Sequence, residues 1–280
     1  MGIINKILPT SLKPFSRDFG YITKSVVYKF KCIGKKIEKS PVFILGNQKS
    51  GTSVIASLLG ELTNNKTSID LFYSGFYYNL FLKWKERSIN TKAFIDRNKF
   101  NFSNKIIKEP HLSVFYDELY EQFPDAKFVM IVRNPIDNIR SILDRLNING
   151  NKDKLDLLDM NKIFHSWNLL FDNSWIGGNT SNYIEVLSER WNIIINNYLV
   201  NKDNMILIKY EDFINDKKGV IEKLAQDLNL PLVNDISGIL DVQHQSKGKR
   251  REISPVDFFG QENIGRIKLI CSENITKLGY

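Results

Sequence analysis

The chain has 280 residues, enough for one large α/β domain with its own core, and its 42% hydrophobic and 25% charged content is ordinary for a soluble globular protein. Its formal charge is +8, but nine Lys or Arg against Asp18 and Glu38 place +7 within residues 1–40 and leave +1 for the other 240 residues. The basicity therefore belongs to an N-terminal arm, which argues against a nucleic-acid-binding body, and no recognition module for nucleic acid is present.

Residues 1–40 read as a basic arm and residues 41–280 as the domain. The arm has no long apolar run, so neither a signal peptide nor a transmembrane anchor is expected, and a cytoplasmic location is the default. Lys6 stands where a myristoylation signal on Gly2 needs Ser or Thr. Tyr21 to Lys39 mixes Ile22, Val26, Val27, Phe30 and Ile33 with lysines. Two readings stay open: a solvated extension, or a basic amphipathic segment touching a membrane surface or an acidic partner. Cys32 and Cys271 form no metal or redox pattern.

The first strand is expected at Val42–Gly46 and the first helix at Thr52–Leu62. Further strands are expected at Lys105–Lys108, Phe128–Arg133 and Met205–Tyr210. Helices are expected at Val114–Gln122, Ile136–Leu146, Leu158–Leu170, Ile184–Val200 and Lys218–Leu228, with Asp216 capping the last and Pro231 just beyond it. Strands alternating with helices predict a three-layer α/β sandwich with a central parallel sheet. Ligands in such sheets sit beyond the carboxyl ends of the strands, where Lys49, Lys108, Arg133 and Tyr210 all fall.

Between the first strand and the first helix lies Gly46-Asn47-Gln48-Lys49-Ser50-Gly51-Thr52-Ser53. Its glycines have the spacing of a phosphate-binding P-loop, in which backbone N–H groups and a helix N-terminus hold an anion. A Walker loop places lysine directly after its second glycine, whereas here Thr52 takes that position and Lys49 lies inside the loop. Such a loop suits a 5′-phosphate rather than a β/γ-phosphate with Mg²⁺. Further along, Lys127 to Val132 reads as a buried strand delivering Arg133 to its end, followed by Asn134, Pro135 and Asp137. Ser141 lies eight residues after Arg133, about two helical turns into the next element. An arginine fork and a hydroxyl converging there make a second anion site.

Together these segments resemble the sulfotransferase family, which uses 3′-phosphoadenosine-5′-phosphosulfate (PAPS). Lys49-Ser50-Gly51-Thr52-Ser53 resembles the family's 5′-phosphosulfate loop, and Arg133-Asn134-Pro135 with Asp137 and Ser141 its 3′-phosphate motif. Phe123-Pro124-Asp125-Ala126-Lys127-Phe128 and Ile208-Lys209-Tyr210-Glu211-Asp212 resemble the flanking segments. The resemblance runs through most of residues 41 to 232. It implies a P-loop NTPase-like fold and metal-independent transfer of a sulfuryl group from PAPS to a hydroxyl of a carbohydrate or small metabolite. Adenosine 3′,5′-bisphosphate is the implied product.

Lys49 is then placed to neutralise the bridging oxygen, and Ser50 to Ser53 to hold the 5′-phosphate. Tyr210 resembles the tyrosine near the adenine, with a buried core tyrosine as the alternative. Lys247 and Lys249, in the basic run to Arg251, resemble the C-terminal loop that touches the 3′-phosphate, and read equally well as a solvated loop. Two bases stay open. Asp70, 19 residues after Gly51, matches the carboxylate of the tyrosylprotein and bacterial types, which usually have Glu there. His111 is its rival, following Lys108-Glu109-Pro110, which resembles the family's Lys-x-Pro motif and makes Lys108 a catalytic candidate. Glu109 and Glu86 are weaker alternatives. The aromatic run Phe72, Tyr73, Phe76, Tyr77, Tyr78, Phe81 and Trp84 suits core packing or stacking against an acceptor. A P-loop kinase and a catalytically inactive nucleotide-binding protein are the competing functions; the kinase lacks both the Walker lysine and a convincing Asp for Mg²⁺.

Overall fold

The computed structural model describes residues 30–73, 75–163, 165–242 and 253–280. Most of the basic arm, and the run containing Lys247 and Lys249, lie outside the described residues. Five parallel strands form the central sheet in the order β2-β3-β1-β4-β5. They are β1 (Val42–Gly46), β2 (Thr67–Ile69), β3 (Ile106–Lys108), β4 (Lys127–Val132) and β5 (Met205–Lys209). β1 is central, with Val42 beside Ile106 on one side and Lys127 on the other.

Period-two alternation divides each strand between two cores. Phe43, Leu45, Phe128, Met130 and Val132 face one layer of helices. Val42, Ile44, Ile106, Val129 and Ile131 face the other. Because both faces are covered, the strands read as continuous apolar runs, as the β1 sequence VFILG shows. The result is the three-layer sandwich that the alternation of elements predicts.

Helix α1 (Thr52–Thr63) packs Ile55, Ala56, Leu58 and Leu59 onto the second face. On the first face lie α2 (Gly75–Lys85), α3 (Tyr116–Gln122), α4 (Pro135–Leu146) and α5 (Tyr183–Val200). Helices α6 (Tyr210–Asn215) and α7 (Lys217–Asp227) follow β5, and α8 (Pro255–Leu278) closes the chain. The chain leaves β1 toward β2 and later crosses back over β1 to reach β4. The loops after β1 and β4 therefore diverge and open a crevice at the carboxyl end of the sheet.

Local chemistry explains the boundaries that the sequence anticipates. Pro135 occupies the first turn of α4, the Asn134 side chain accepts from the Ile136 N–H, and Asn147 ends the helix in the left-handed region. Asp216 caps α7 through the Gly219 N–H. The expected helix at Leu158–Leu170 does not form. One turn, Leu157–Met160, is followed by a 3₁₀ segment at His165–Leu170. Asp156 and Asp159 close a capping box, and Lys152 and Lys162 both pair with buried Asp159, tying the turn into a compact loop. Side chain-to-backbone capping here competes with helix propagation.

The short strand β2 escapes the sequence reading because Thr67-Ser68-Ile69 has no apolar run, whereas the equally short β3 begins with buried Ile106-Ile107. The helix α2 escapes it because its apolar residues surround much of its circumference. Within α2 and around it, Phe72, Tyr77, Phe81 and Trp84 are buried, with Trp84 stacked on Phe94 at 4.2 Å and on Phe115 at 4.1 Å. Core packing is therefore the use of these aromatics; the Tyr73 and Phe76 side chains lie outside the described ones. Helix α8, also unanticipated, breaks at Gly260 (φ 74°, ψ 162°). Among the described residues no helix is long and apolar enough to cross a membrane.

Candidate active site

The loop after β1 is built from backbone conformations that few side chains tolerate. Gly46 has φ +142°, and a Cβ there would lie 2.4 Å from the Ile131 carbonyl oxygen. Gly51 has φ +97°, and its Cβ would fall 2.3 Å from the Tyr210 ring. Both glycines are required by close approach as well as by dihedral angle. Lys49 holds φ +66° without that freedom.

Other elements hold the loop in place. Ser113 Oγ accepts from the Gly46 N–H at 2.8 Å. Asn47 donates to Asn138 Oδ1 at 2.9 Å, and Asn138 Nδ2 donates to the Gln48 carbonyl at 2.9 Å. Ser50 Oγ donates to the Asn47 carbonyl at 2.7 Å. Ser50 therefore serves the loop's own turn. No side chain caps α1, whose N-cap is Gly51, so its first-turn N–H groups and positive dipole end face the crevice.

Arg133, one residue past β4, joins this loop. Its guanidinium donates to the Lys49 carbonyl at 3.1 Å and lies over the Tyr210 ring, 4.7 Å from the centroid. Trp191 Nε1 donates to the Arg133 carbonyl at 3.0 Å. Glu211 accepts from the Asn134 N–H and from the Tyr280 hydroxyl. The strand ends of β1, β4 and β5 thus bring Lys49, Gly51, Arg133 and Tyr210 into one cluster. Ser141 is half-buried on α4, one turn beyond Asn138, whose amide reaches the same loop.

Asp70 follows β2 directly and adopts φ +55°. Its N–H donates to the Lys108 carbonyl at 3.1 Å, and its carboxylate pairs with the Lys108 ammonium. Lys108 is 3% exposed and Asp70 45%, so the lysine is enclosed while the carboxylate faces solvent at the carboxyl edge of the sheet. Glu109 is buried alongside and accepts from the Phe72 and His111 N–H groups at 3.4 and 3.2 Å. It caps the 3₁₀ turn Pro110–Val114 and ties the segment after β2 to the one after β3.

Burial pushes Glu109 from its ordinary 4.5 up to about 7, against the opposing pull of Lys108. Between those values the folded protein holds a proton that the unfolded chain has released. Stability should therefore fall as pH rises through this window and level off above it, by up to ~3 kcal/mol from this group. Denaturant midpoints measured across the window check this. Glu109→Gln should flatten the slope, and an unchanged slope would assign it to other groups.

His111 is 3% exposed, between the Phe72 and Phe81 rings, whereas the Asp70 side chain faces solvent. Its ring nitrogens lie 3.3 and 3.4 Å from Gln48 Nε2, and Nδ1 lies 3.4 Å from an Arg190 terminal nitrogen. The sequence reading gives Gln48 only as a member of the loop, with no role, and does not name Asn138 or Arg190. Arg190 could have been noticed as a lone cation on the apolar stripe of α5 formed by Ile184, Leu187, Trp191 and Ile194. Nothing local in the sequence distinguishes Asn138.

A family model for the sulfotransferase domain matches residues 39–253, and the chain belongs to that family. Among solved structures, sulfotransferase STF9 from Mycobacterium avium is 12% identical with a TM-score of 0.55, over 92% of this chain and 81% of that one. Mouse sulfotransferase SULT7A1, solved in complex with PAP, is 15% identical with a TM-score of 0.50, over 88% of each chain. At these identities the two share the fold with this chain. No curated protein matches.

Proposed function

We propose that this sulfotransferase uses PAPS as donor and a hydroxyl of a glycan or small metabolite as acceptor, with Asp70 as the base. The observation that carries the reading is the junction of two anion-binding elements, in which Arg133 donates to the carbonyl of Lys49 beside the uncapped start of α1. The residues fit the donor. The N–H groups of Gly51 to Ser53 suit a 5′-phosphate, that of Ser50 being donated to the Asn47 carbonyl, Arg133 and Ser141 suit a 3′-phosphate, and Tyr210, with Arg133 stacked on it, stands beside them for the adenine. When bound, PAPS supplies the activated sulfuryl group and leaves as adenosine 3′,5′-bisphosphate.

In this reading Lys49 offsets the negative charge that grows on the leaving phosphate oxygen, where a preorganised cation is worth most. Asp70 takes the proton from the acceptor hydroxyl, and buried Lys108 holds that carboxylate in position. Lys247 and Lys249 keep their proposed 3′-phosphate contact, outside the described residues.

Thermal unfolding tests the donor site. Adenosine 3′,5′-bisphosphate should raise Tm without Mg²⁺, by an amount corresponding to ~2.7 kcal/mol at a hundredfold excess over Kd. Adenosine 5′-monophosphate should do far less, and Arg133→Ala should erase the difference between the two. Stronger stabilisation by ATP with Mg²⁺ would favour phosphoryl transfer instead. Mass spectrometry of hydroxylated glycans, phenols and peptides incubated with PAPS, scored for added SO₃, identifies the acceptor.

A further inference from the structure

The buried triad Arg190, His111 and Gln48 joins α5 to the phosphate loop across the layer behind the site. Arg190 is 0% exposed, yet among the described residues its guanidinium nitrogens bond only the Leu169 carbonyl and His111 Nδ1, each at 3.4 Å. Its Nε has no hydrogen-bond partner. Burial draws its pKa down to about 10, with Glu109 pulling it back up, so the guanidinium stays charged at neutral pH. A guanidinium offers donors only. Facing it, Nδ1 must be the acceptor, because a proton on that nitrogen would set donor against donor beside a buried cation. The proton of the neutral ring then sits on Nε2.

A second observation points the same way. Among the described residues Gln48 Oε1 is buried without a hydrogen-bond partner, while Gln48 Nε2 stands 3.3 Å from His111 Nε2 and 3.4 Å from Nδ1. A half-turn of the Gln48 amide exchanges its nitrogen for its oxygen at the ring. That places an acceptor rather than a second donor beside the Nε2 proton, an electrostatic match rather than a linear hydrogen bond because the position is almost equidistant from the two ring nitrogens. Beyond Gln48 the chain of contacts continues, since its carbonyl is held by Asn138 and its N–H donates to Asn47 Oδ1.

We propose that Arg190 is a positioning residue: it fixes His111 as the neutral Nε2–H tautomer, and through Gln48 it sets the phosphate loop. His111 is thereby a hydrogen-bond donor rather than the base. The charged groups around the ring are Arg190 on α5 and, on its own segment, Glu109 and Lys108, with Asp70 beyond Lys108. Apolar Phe72 and Phe81 cover its faces. A neutral ring whose Nδ1 is engaged and whose Nε2 carries a proton has no lone pair for an acceptor hydroxyl. The link to catalysis rests on the proposed transfer reaction, while the tautomer does not.

Long-range ¹⁵N–¹H correlation spectra of the full-length, ¹⁵N-labelled protein test the assignment. The chain has 3 histidines, so His165→Gln and His244→Gln leave the His111 ring identified by elimination. The wild-type ring should show the Nε2–H pattern and no titration between about pH 5 and 8, the range in which an unperturbed imidazole titrates. An Nδ1–H pattern, or titration in that range, overturns the proposal. Arg190→Met should give a mixed tautomer population and weaken adenosine 3′,5′-bisphosphate binding by about tenfold, the size of one lost hydrogen bond to a charged group. An unchanged tautomer in a folded Arg190→Met protein also overturns it. Should that variant fail to fold, the wild-type spectrum still decides, and Gln48→Ala should keep the Nε2–H pattern while binding the bisphosphate more weakly. Absence of any bisphosphate binding by the wild type would defeat the proposed function and leave the tautomer result standing.

Discussion

Asp70→Asn should lower turnover by about 10³-fold while leaving the Tm shift produced by adenosine 3′,5′-bisphosphate unchanged. Asparagine has the same shape, and its Oδ1 can still accept from Lys108, so the partner of that buried ammonium is not lost. The backbone at residue 70 is equally suited, because asparagine tolerates the left-handed region as well as aspartate does. What the amide cannot do is take a proton from a hydroxyl. Stability should fall by only ~1 kcal/mol, because a charge-assisted bond becomes a weaker one. Steady-state kinetics and bisphosphate binding measured on the same preparation check this. A variant retaining more than about a tenth of wild-type turnover would place the base elsewhere. His111→Gln should act mainly through bisphosphate affinity, with a much smaller loss of turnover.

Lys49→Ala should slow the chemical step by about 10² to 10³-fold, with little change in bisphosphate affinity. The substitution isolates the ammonium cleanly. Lysine and alanine both carry a Cβ, so the strain of φ +66° is common to the two proteins. The Lys49 carbonyl that accepts from Arg133 belongs to the backbone and stays. Lys49→Gly should relieve the strain, stabilising the protein by up to ~1 kcal/mol, and be equally slow. Single-turnover rates compared with equilibrium binding separate the outcomes. An intact rate with collapsed affinity would make Lys49 a ground-state anchor and remove it from the chemistry.

The sequence shows the loop after β1 and the end of β4 more fully than the Asp70–Lys108 pair. The loop Gly46–Ser53 and the run Arg133–Pro135 are contiguous, and their glycines, proline and caps act on their immediate neighbours. The strands β1, β3, β4 and β5 are legible because each carries a continuous apolar run, even β3 with only three residues. The helix expected at Leu158–Leu170 fails because apolar residues at helical spacing signal a helix only when they are buried. Leu157 and Leu158 are instead 83% and 74% exposed, held outward by the Asp156 and Asp159 box. Strand β2, Thr67-Ser68-Ile69, has no apolar run to detect, although its end positions Asp70.

The sequence by itself determined the glycine loop after β1, the arginine strand and the parallel α/β class, since each is written in residues a few positions apart. Only the tertiary structure decided that Asp70 pairs with Lys108, 38 residues away, while His111 turns inward to Arg190, 79 residues away. Adjacent β2 and β3 set the first contact, and the packing of α5 against the turn after β3 sets the second. The direction of a side chain at a strand end depends on the neighbouring strand and on the layer above it. Spacing along the chain carries no information about either.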